Sequence, residues 1–225
     1  MFDSIAPKYD TLNHVLSFGI DKGWRRRTVR MVAARRPASV LDVATGTADL
    51  AIGMAKKCPE IEITGVDLSP EMLEIGVEKV KEAGFSDRVR LEVQNALNMG
   101  FDDGSFDAVT CAFGVRNFED TGKGLSEFYR VLRNGGALYI LEFSVPEKGI
   151  FSSLYLWYFR HILPVIGRMV SADEKAYTYL PESAVSFAQG EEFVKLLEKT
   201  GFKDIFARKL TKGVATLYTA VKNQD

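Results

Sequence analysis

Cysteine and histidine are nearly missing. Cys58, Cys111, His14 and His161 are the whole stock in 225 residues. There is no CxxC and no histidine cluster, so no standard zinc spacing can be built and no metal site is expected. Two thiols are also too few for a disulfide scaffold. A surplus of either charge is missing as well: 29 Lys and Arg stand against 30 Asp and Glu, a net charge of −1. The chain lacks the basic excess that grips a nucleic-acid backbone, so nucleic acid is not an expected partner. Long apolar runs are absent too. Met1-Phe2-Asp3-Ser4-Ile5-Ala6-Pro7 has neither the basic nor the apolar region of a secretory leader. The longest uncharged stretch worth testing, 149–159, ends at Arg160 and His161. A spanning helix needs about 20 apolar residues. A soluble cytoplasmic protein with reduced thiols is expected.

What is present is an ordinary globular composition, 46% hydrophobic and 26% charged, without repeats or low-complexity tracts. Short apolar runs at 39–43, 62–67, 89–93, 106–112 and 137–142 read as strands. Amphipathic stretches at 49–57, 70–83 and 122–132 read as helices between them. Ser69 followed by Pro70 has the form of an N-cap with proline in the first helical position. Strands alternating with helices predict parallel βαβ units in a sheet covered on both faces. A helix at 191–200 precedes two further strands, 202–208 and 214–221, whose link is too short for a helical crossover. They predict an antiparallel hairpin at or near the sheet edge. One domain is expected, with a helical cover over 1–37 (a helix around 23–34) and an α/β core over 38–148. An aromatic insertion over 149–189 and a C-terminal helix and hairpin over 190–225 complete it. Extra segments on such a sheet often cover a ligand crevice beyond the carboxyl ends of the strands.

The most informative stretch is Leu41-Asp42-Val43-Ala44-Thr45-Gly46-Thr47-Ala48-Asp49-Leu50. A strand enters a turn of small residues and leaves as a helix. Dinucleotide enzymes carry GxGxxG there, to cradle a pyrophosphate; here the only central glycine is Gly46. Asp42 and Asp49 would repel a pyrophosphate and suit a cationic ligand, and S-adenosylmethionine offers an ammonium and a sulfonium. The plain alternative is a tight turn with Asp49 capping its helix. Asp67 ends the second strand 21 positions after Gly46, the spacing that brings a carboxylate to ribose hydroxyls. Gln94-Asn95-Ala96 follows the third strand, where an adenine edge would lie. Arg133-Asn134-Gly135-Gly136 before the fifth strand reads as a turn.

More distinctive segments are Met1-Phe2-Asp3-Ser4-Ile5-Ala6 with Tyr9-Asp10 and Asn13, and Leu16-Ser17-Phe18-Gly19. To these are added Phe113-Gly114-Val115-Arg116-Asn117, Glu142-Phe143-Ser144-Val145-Pro146 and Tyr177-Thr178-Tyr179-Leu180-Pro181-Glu182-Ser183. In them the chain resembles the class I S-adenosylmethionine-dependent methyltransferases, and more narrowly the menaquinone/ubiquinone biosynthesis C-methyltransferase family, over nearly its whole length. The resemblance implies a Rossmann-like fold, a mostly parallel seven-stranded sheet with helices on both faces and an antiparallel C-terminal hairpin. It implies S-adenosylmethionine as cofactor, with family contacts falling on Thr47, Asp67 and the Asn95-Ala96 pair. Asp42, Gly46 and Leu68 complete the expected set. Two departures stand out: the family usually has glycine at Ala48 and commonly serine at Ala112. The implied activity is C-methylation of a demethylated isoprenoid quinol, demethylmenaquinol to menaquinol, with ubiquinone precursors open. The alternatives are methylation of another small phenol, or a noncatalytic protein that binds S-adenosylmethionine or lipid.

That chemistry needs a reduced acceptor, because only a hydroxyl that loses its proton can push charge into the ring. Arg116 and Asn117 are the candidates for handling quinol hydroxyls. An arginine stays protonated, so stabilising a phenolate or orienting a water suits it better than acting as base. Tyr9, Asp10, His14, Glu142 and Tyr177 are the candidate bases. The plain alternatives are an Arg116–Glu119 ion pair and a Glu142 that holds the cofactor's amino end or caps a loop. The aromatic run 149–164 has the composition of a lipid-facing lid, or of a core helix. The basic run Lys22, Arg25, Arg26, Arg27, Arg30, Arg35 and Arg36 could meet anionic lipid, or form a solvated face. Peripheral contact with the inner face of the cell membrane and a homodimer complete the expected partners.

Overall fold

The computed structural model describes residues 19–146 and 187–223. Helix α1 (Ile20–Ala34) leads into β1 (Ser39–Val43), α2 (Asp49–Lys57), β2 (Glu62–Asp67), α3 (Pro70–Glu82) and β3 (Val89–Val93). Next come β4 (Phe106–Ala112), a 3-10 turn (Val115–Asn117), α4 (Thr121–Val131) and β5 (Leu132–Phe143). After residue 187 follow α5 (Glu191–Thr200), β6 (Lys203–Leu210), a 3-10 turn (Thr211–Gly213) and β7 (Ala215–Val221). The strands lie in the order β3-β2-β1-β4-β5-β7-β6. The first five pair in parallel, and β7 runs antiparallel between β5 and β6. The expected hairpin is therefore the sheet edge, with β6 outermost.

Alternating side chains feed hydrophobic clusters on the two faces of the sheet, as the period of a strand requires. Leu41, Val43, Val109, Leu138 and Ile140 pack with Leu125 and Phe128 of α4 and with Phe193 and Leu197 of α5. Val40, Ile63, Ala108 and Tyr139 pack on the other side with Val32 of α1, Ala51 and Met54 of α2 and Val80 of α3. Both faces are thus covered, and strands buried on both faces read as nearly continuous apolar runs. Ser69 caps α3 by accepting from the Met72 amide at 3.2 Å, with Pro70 in the first position. Asp120 caps α4 in the same way through the Lys123 amide, which starts that helix one residue before the expected boundary.

Two expectations change. The turn at residues 133–136 lies inside β5, which starts at Leu132. There the register with β4 jumps from Phe106↔Leu132 to Ala108↔Ala137 and Gly135 takes a φ of 77°. The bend is present, but as an irregularity within a longer strand. Helix α1 begins at Ile20, earlier than 23, and is bound to the far end of the chain. Trp24 is buried, its Nε1 donates to Thr211 Oγ1 at 2.8 Å, and its ring meets those of Phe113 and Phe143. The expected N-terminal cover before residue 19 and nearly all of the insertion 149–189 lie outside the described residues.

Candidate active site

The order of the strands reverses between β1 and β4, and in an open α/β sheet that is where the carboxyl ends part to leave a crevice. The loop leaving β1 is shaped by three left-handed residues in alternation, Ala44 (φ 53°), Gly46 (φ 57°) and Ala48 (φ 64°). Only glycine adopts this conformation freely; another residue gives up roughly 1–2 kcal/mol. Ala48 bears that strain with its methyl fully buried. Two clamps hold the loop. Thr45 donates to Asp42 Oδ2 at 2.7 Å, and the Gly46 amide donates to Asp67 Oδ2 at 2.8 Å. The 21-residue spacing thus corresponds to a direct contact. Asp67 Oδ1 also accepts from the Ser69 amide at 3.0 Å, within the roughly four acceptor directions of a carboxylate.

Around Asp67 opens a cleft of about 210 Å³. Gly46 and Asp67 border it with Leu68 and the Gln94-Asn95-Ala96 segment, and Asn117 reaches it from beyond β4. Five of the seven expected cofactor residues, Gly46, Asp67, Leu68, Asn95 and Ala96, therefore meet in one place. Leu68 is 65% exposed there. Asp42 and Thr47 do not line this cleft. They border a smaller cavity behind the loop, with Arg25 and Asp49, which shares Ala44 and Gly46 with the cleft. Burial pushes the Asp42 carboxyl up to about 6, against hydrogen bonds from Thr110 and Thr45 and the attraction of Arg25. Asp49 meets Lys79 Nζ at 2.5 Å, and the same ammonium donates to Thr47 Oγ1 at 2.9 Å. Asp42 and Asp49, the pair expected to suit a cationic ligand, thus border one small cavity rather than the main cleft. One carboxyl is buried under the loop, and the other is engaged by Lys79. Asp49 is also not the helix cap, a position held by Ala48.

Sequence reasoning missed the apolar walls: Val66, Met72, Leu97, Phe113 and Phe118. Their types signal only burial, and the crevice appears once the strands are ordered. Phe113 carries a detectable sign in the structure, a left-handed φ of 62°, and such strain in a bulky residue collects at functional sites. Its amide donates to Leu141 O, and its carbonyl accepts from Arg116 Nη1 at 2.6 Å.

Arg116 pairs with Glu142 at 2.7 Å rather than with Glu119. Glu142 is fully buried at the end of β5 and also accepts from the Arg116 and Phe143 amides. It thus secures the turn after β4, the loop-capping alternative to a role as base. Arg116 lies behind the cleft wall rather than in its lining. Its Nε is buried without a hydrogen-bond partner, a state that carries a desolvation penalty of about 1–3 kcal/mol. Cys111 lies beside these groups, but burial drives its thiol well up, which leaves it neutral and unreactive. Tyr9, Asp10, His14 and Tyr177 lie outside the described residues. Among the described residues no group of three or more His, Cys, Asp or Glu could hold a metal ion.

A family model described as the ubiE/COQ5 methyltransferase family matches residues 1–222. Among curated proteins, a demethylmenaquinone methyltransferase of Bacteroides fragilis is 44% identical over 222 residues, covering 99% of this chain and 91% of that protein. Its counterpart in Deinococcus radiodurans is 47% identical with the same coverage. A ubiquinone/menaquinone biosynthesis C-methyltransferase UbiE of Geobacter sp. is 47% identical over 99% of this chain and 94% of its own. Among solved structures, the cyclase SpnF superposes with a TM-score of 0.72 at 17% identity, over 100% of this chain and 94% of that one. Haemonchus contortus phosphoethanolamine N-methyltransferase 2, in complex with S-adenosyl-L-methionine, superposes with 0.62 at 20% identity, over 83% and 49%. At these identities the two structures show a shared fold.

Proposed function

The chain belongs to the ubiE/COQ5 methyltransferase family, and on that premise we propose that it C-methylates a demethylated isoprenoid quinol with S-adenosylmethionine as donor, converting demethylmenaquinol to menaquinol in quinone biosynthesis. The observation that carries this is the 44 to 47% identity, over 99% of the chain, to relatives named for that reaction. The cleft alone would suit many acceptors.

The residues present fit the donor. Asp67, held by two backbone amides, would take the ribose hydroxyls. Leu68, Asn95 and Ala96 would flank the adenine, and Gly46 brings backbone to the remainder, with Asp42 and Thr47 supporting the loop from behind. Bound there, S-adenosylmethionine supplies a methyl on a sulfonium. The apolar walls exclude water, which otherwise solvates an anionic acceptor and a cationic donor and so opposes their reaction. Holding the two in line supplies further acceleration. For the acceptor we assign Asn117 to the cleft surface and Arg116 to charge. From behind the cleft wall the Arg116 guanidinium, fixed by Glu142, would act on a developing phenolate by charge rather than by a direct hydrogen bond. Tyr9, Asp10 and His14 are retained as proposed bases.

We read the chain as one methyltransferase domain. No helix among the described residues is long and apolar enough to cross a membrane; a cytoplasmic enzyme that touches the membrane's inner face peripherally is proposed from the isoprenoid nature of the acceptor. The test is transfer of labelled methyl to reduced demethylmenaquinone, run beside a panel of small phenols. Only the quinol can carry phenolate charge, so turnover of a supplied quinone is expected to require a reductant. Equal anaerobic rates with and without reductant, on a quinone shown to stay oxidised, would overturn the mechanism.

A further inference from the structure

The chain as a whole is nearly neutral, yet its cations are unevenly placed. Helices α1 and α2 bound an open groove of about 840 Å³. Lys22, Arg26 and Arg30 line it from α1, and Lys56 and Lys57 from α2. The first three are spaced four apart and so share one helix face. All five are exposed, and none makes an ion pair among the described residues. The groove's other two charges are already matched: Arg25 by Asp21, Asp49 by Lys79. Lys56 and Lys57 also suit the carboxyl end of α2 through the helix dipole. That leaves the α1 stripe unexplained, because like charges four apart destabilise a helix.

The groove's shape narrows the choice of partner. Its floor is aliphatic, Val29 and Ile52, and Gly53 lets the helices close on each other, since a Cβ there would stand 3.2 Å from Val29 Cγ2. It offers no aromatic side chain on which a nucleobase could stack. The groove also adjoins the reaction centre. It shares Arg25 and Asp49 with the small cavity behind the first loop, and that cavity shares Ala44 and Gly46 with the cleft.

We propose that this groove is the surface by which the protein rests on an anionic phospholipid bilayer, with its five cations meeting headgroup phosphates. The proposal builds on the isoprenoid-quinol assignment, since an acceptor with such a tail resides in the bilayer. Contact there brings the cleft beside its source.

The test is co-sedimentation of the full chain with vesicles of phosphatidylglycerol and phosphatidylcholine, against vesicles of phosphatidylcholine alone. Binding is expected only to the anionic vesicles and to weaken with salt. A Lys22→Gln, Arg26→Gln, Arg30→Gln variant is expected to lose more than tenfold in partitioning, since each cation near such a surface contributes about fivefold. A Lys56→Gln, Lys57→Gln variant serves if the first fails to fold. Both are expected to methylate a short-tailed soluble quinol at the parental rate, so absent methylation by the parent would count against the enzymatic assignment and leave the vesicle result to be judged alone. Undiminished vesicle binding by the folded variants, or equal binding to neutral vesicles, would overturn the proposal. So would saturable binding of inorganic phosphate or an RNA oligonucleotide without any to vesicles.

Discussion

Asp67 joins two loops and faces the cleft, so its removal should be felt first in ligand binding. Asp67→Ala is expected to weaken S-adenosylmethionine by about 1.5–3 kcal/mol, the range for hydrogen bonds to a charged group, while the fold survives. Calorimetry giving parental affinity in a folded variant would remove Asp67 from the site. Asp42 makes a different prediction, in pH. An unfolded aspartate titrates near 3.9, and the buried one near 6. Between those values the folded chain keeps a proton that the unfolded chain has lost. Stability from this group is full below about pH 4 and declines as pH rises through about 6, on the order of 3 kcal/mol over the window. Asp42→Asn cannot ionise and should show a flatter profile, measured by denaturant unfolding from pH 4 to 7; parallel curves for parent and variant would refute it. Asp67 was legible in the sequence because its position relative to Gly46 follows from one βαβ repeat. The partner of Arg116 was not. Glu119 is close along the chain, but Glu142 is close across the sheet, and strand neighbours are fixed only by topology.

At the scale of elements, the central strands were readable because burial on both faces leaves runs rich in apolar residues, as in β4 and the second half of β5, and α3 because its cap and proline are local signals. Boundaries shifted where a neighbour decides them. The start of β5 is extended by pairing with Phe106, and α1 is held at its beginning by Thr211, 187 residues later. The meeting of the two loops over the switch point was equally hidden. It depends on Gly114, where a Cβ would stand 2.5 Å from Ala44 Cβ and 2.8 Å from Cys111 Sγ. Gly114→Ala is expected to push the loop after β4 away from the loop after β1. Overpacking of this kind destabilises by roughly 1–3 kcal/mol, and here it should also reduce cofactor affinity. Thermal unfolding together with calorimetry checks both; a variant with parental values in each would mean that the loops are freer to part than their contacts indicate.

For the molecule as a whole, the decisive feature is that the last strand is not at the edge. β7 contributes buried Ala215, Leu217, Tyr218 and Ala220 and pairs with β5 on one side and β6 on the other. A chain ending at residue 213 is therefore expected to be insoluble rather than merely less active, with β5 left as a long unpaired apolar edge. Recovery of a soluble, monomeric protein from that truncation would show that the remaining strands suffice. The same arrangement has a consequence in time. Ribosomes build from the amino end, so β5 is complete well before β7 exists. At about 5–20 residues per second the newborn chain passes on the order of ten seconds with that edge bare, while Trp24 waits for Thr211. The yield of native protein is therefore expected to fall when translation is slowed between residues 144 and 214.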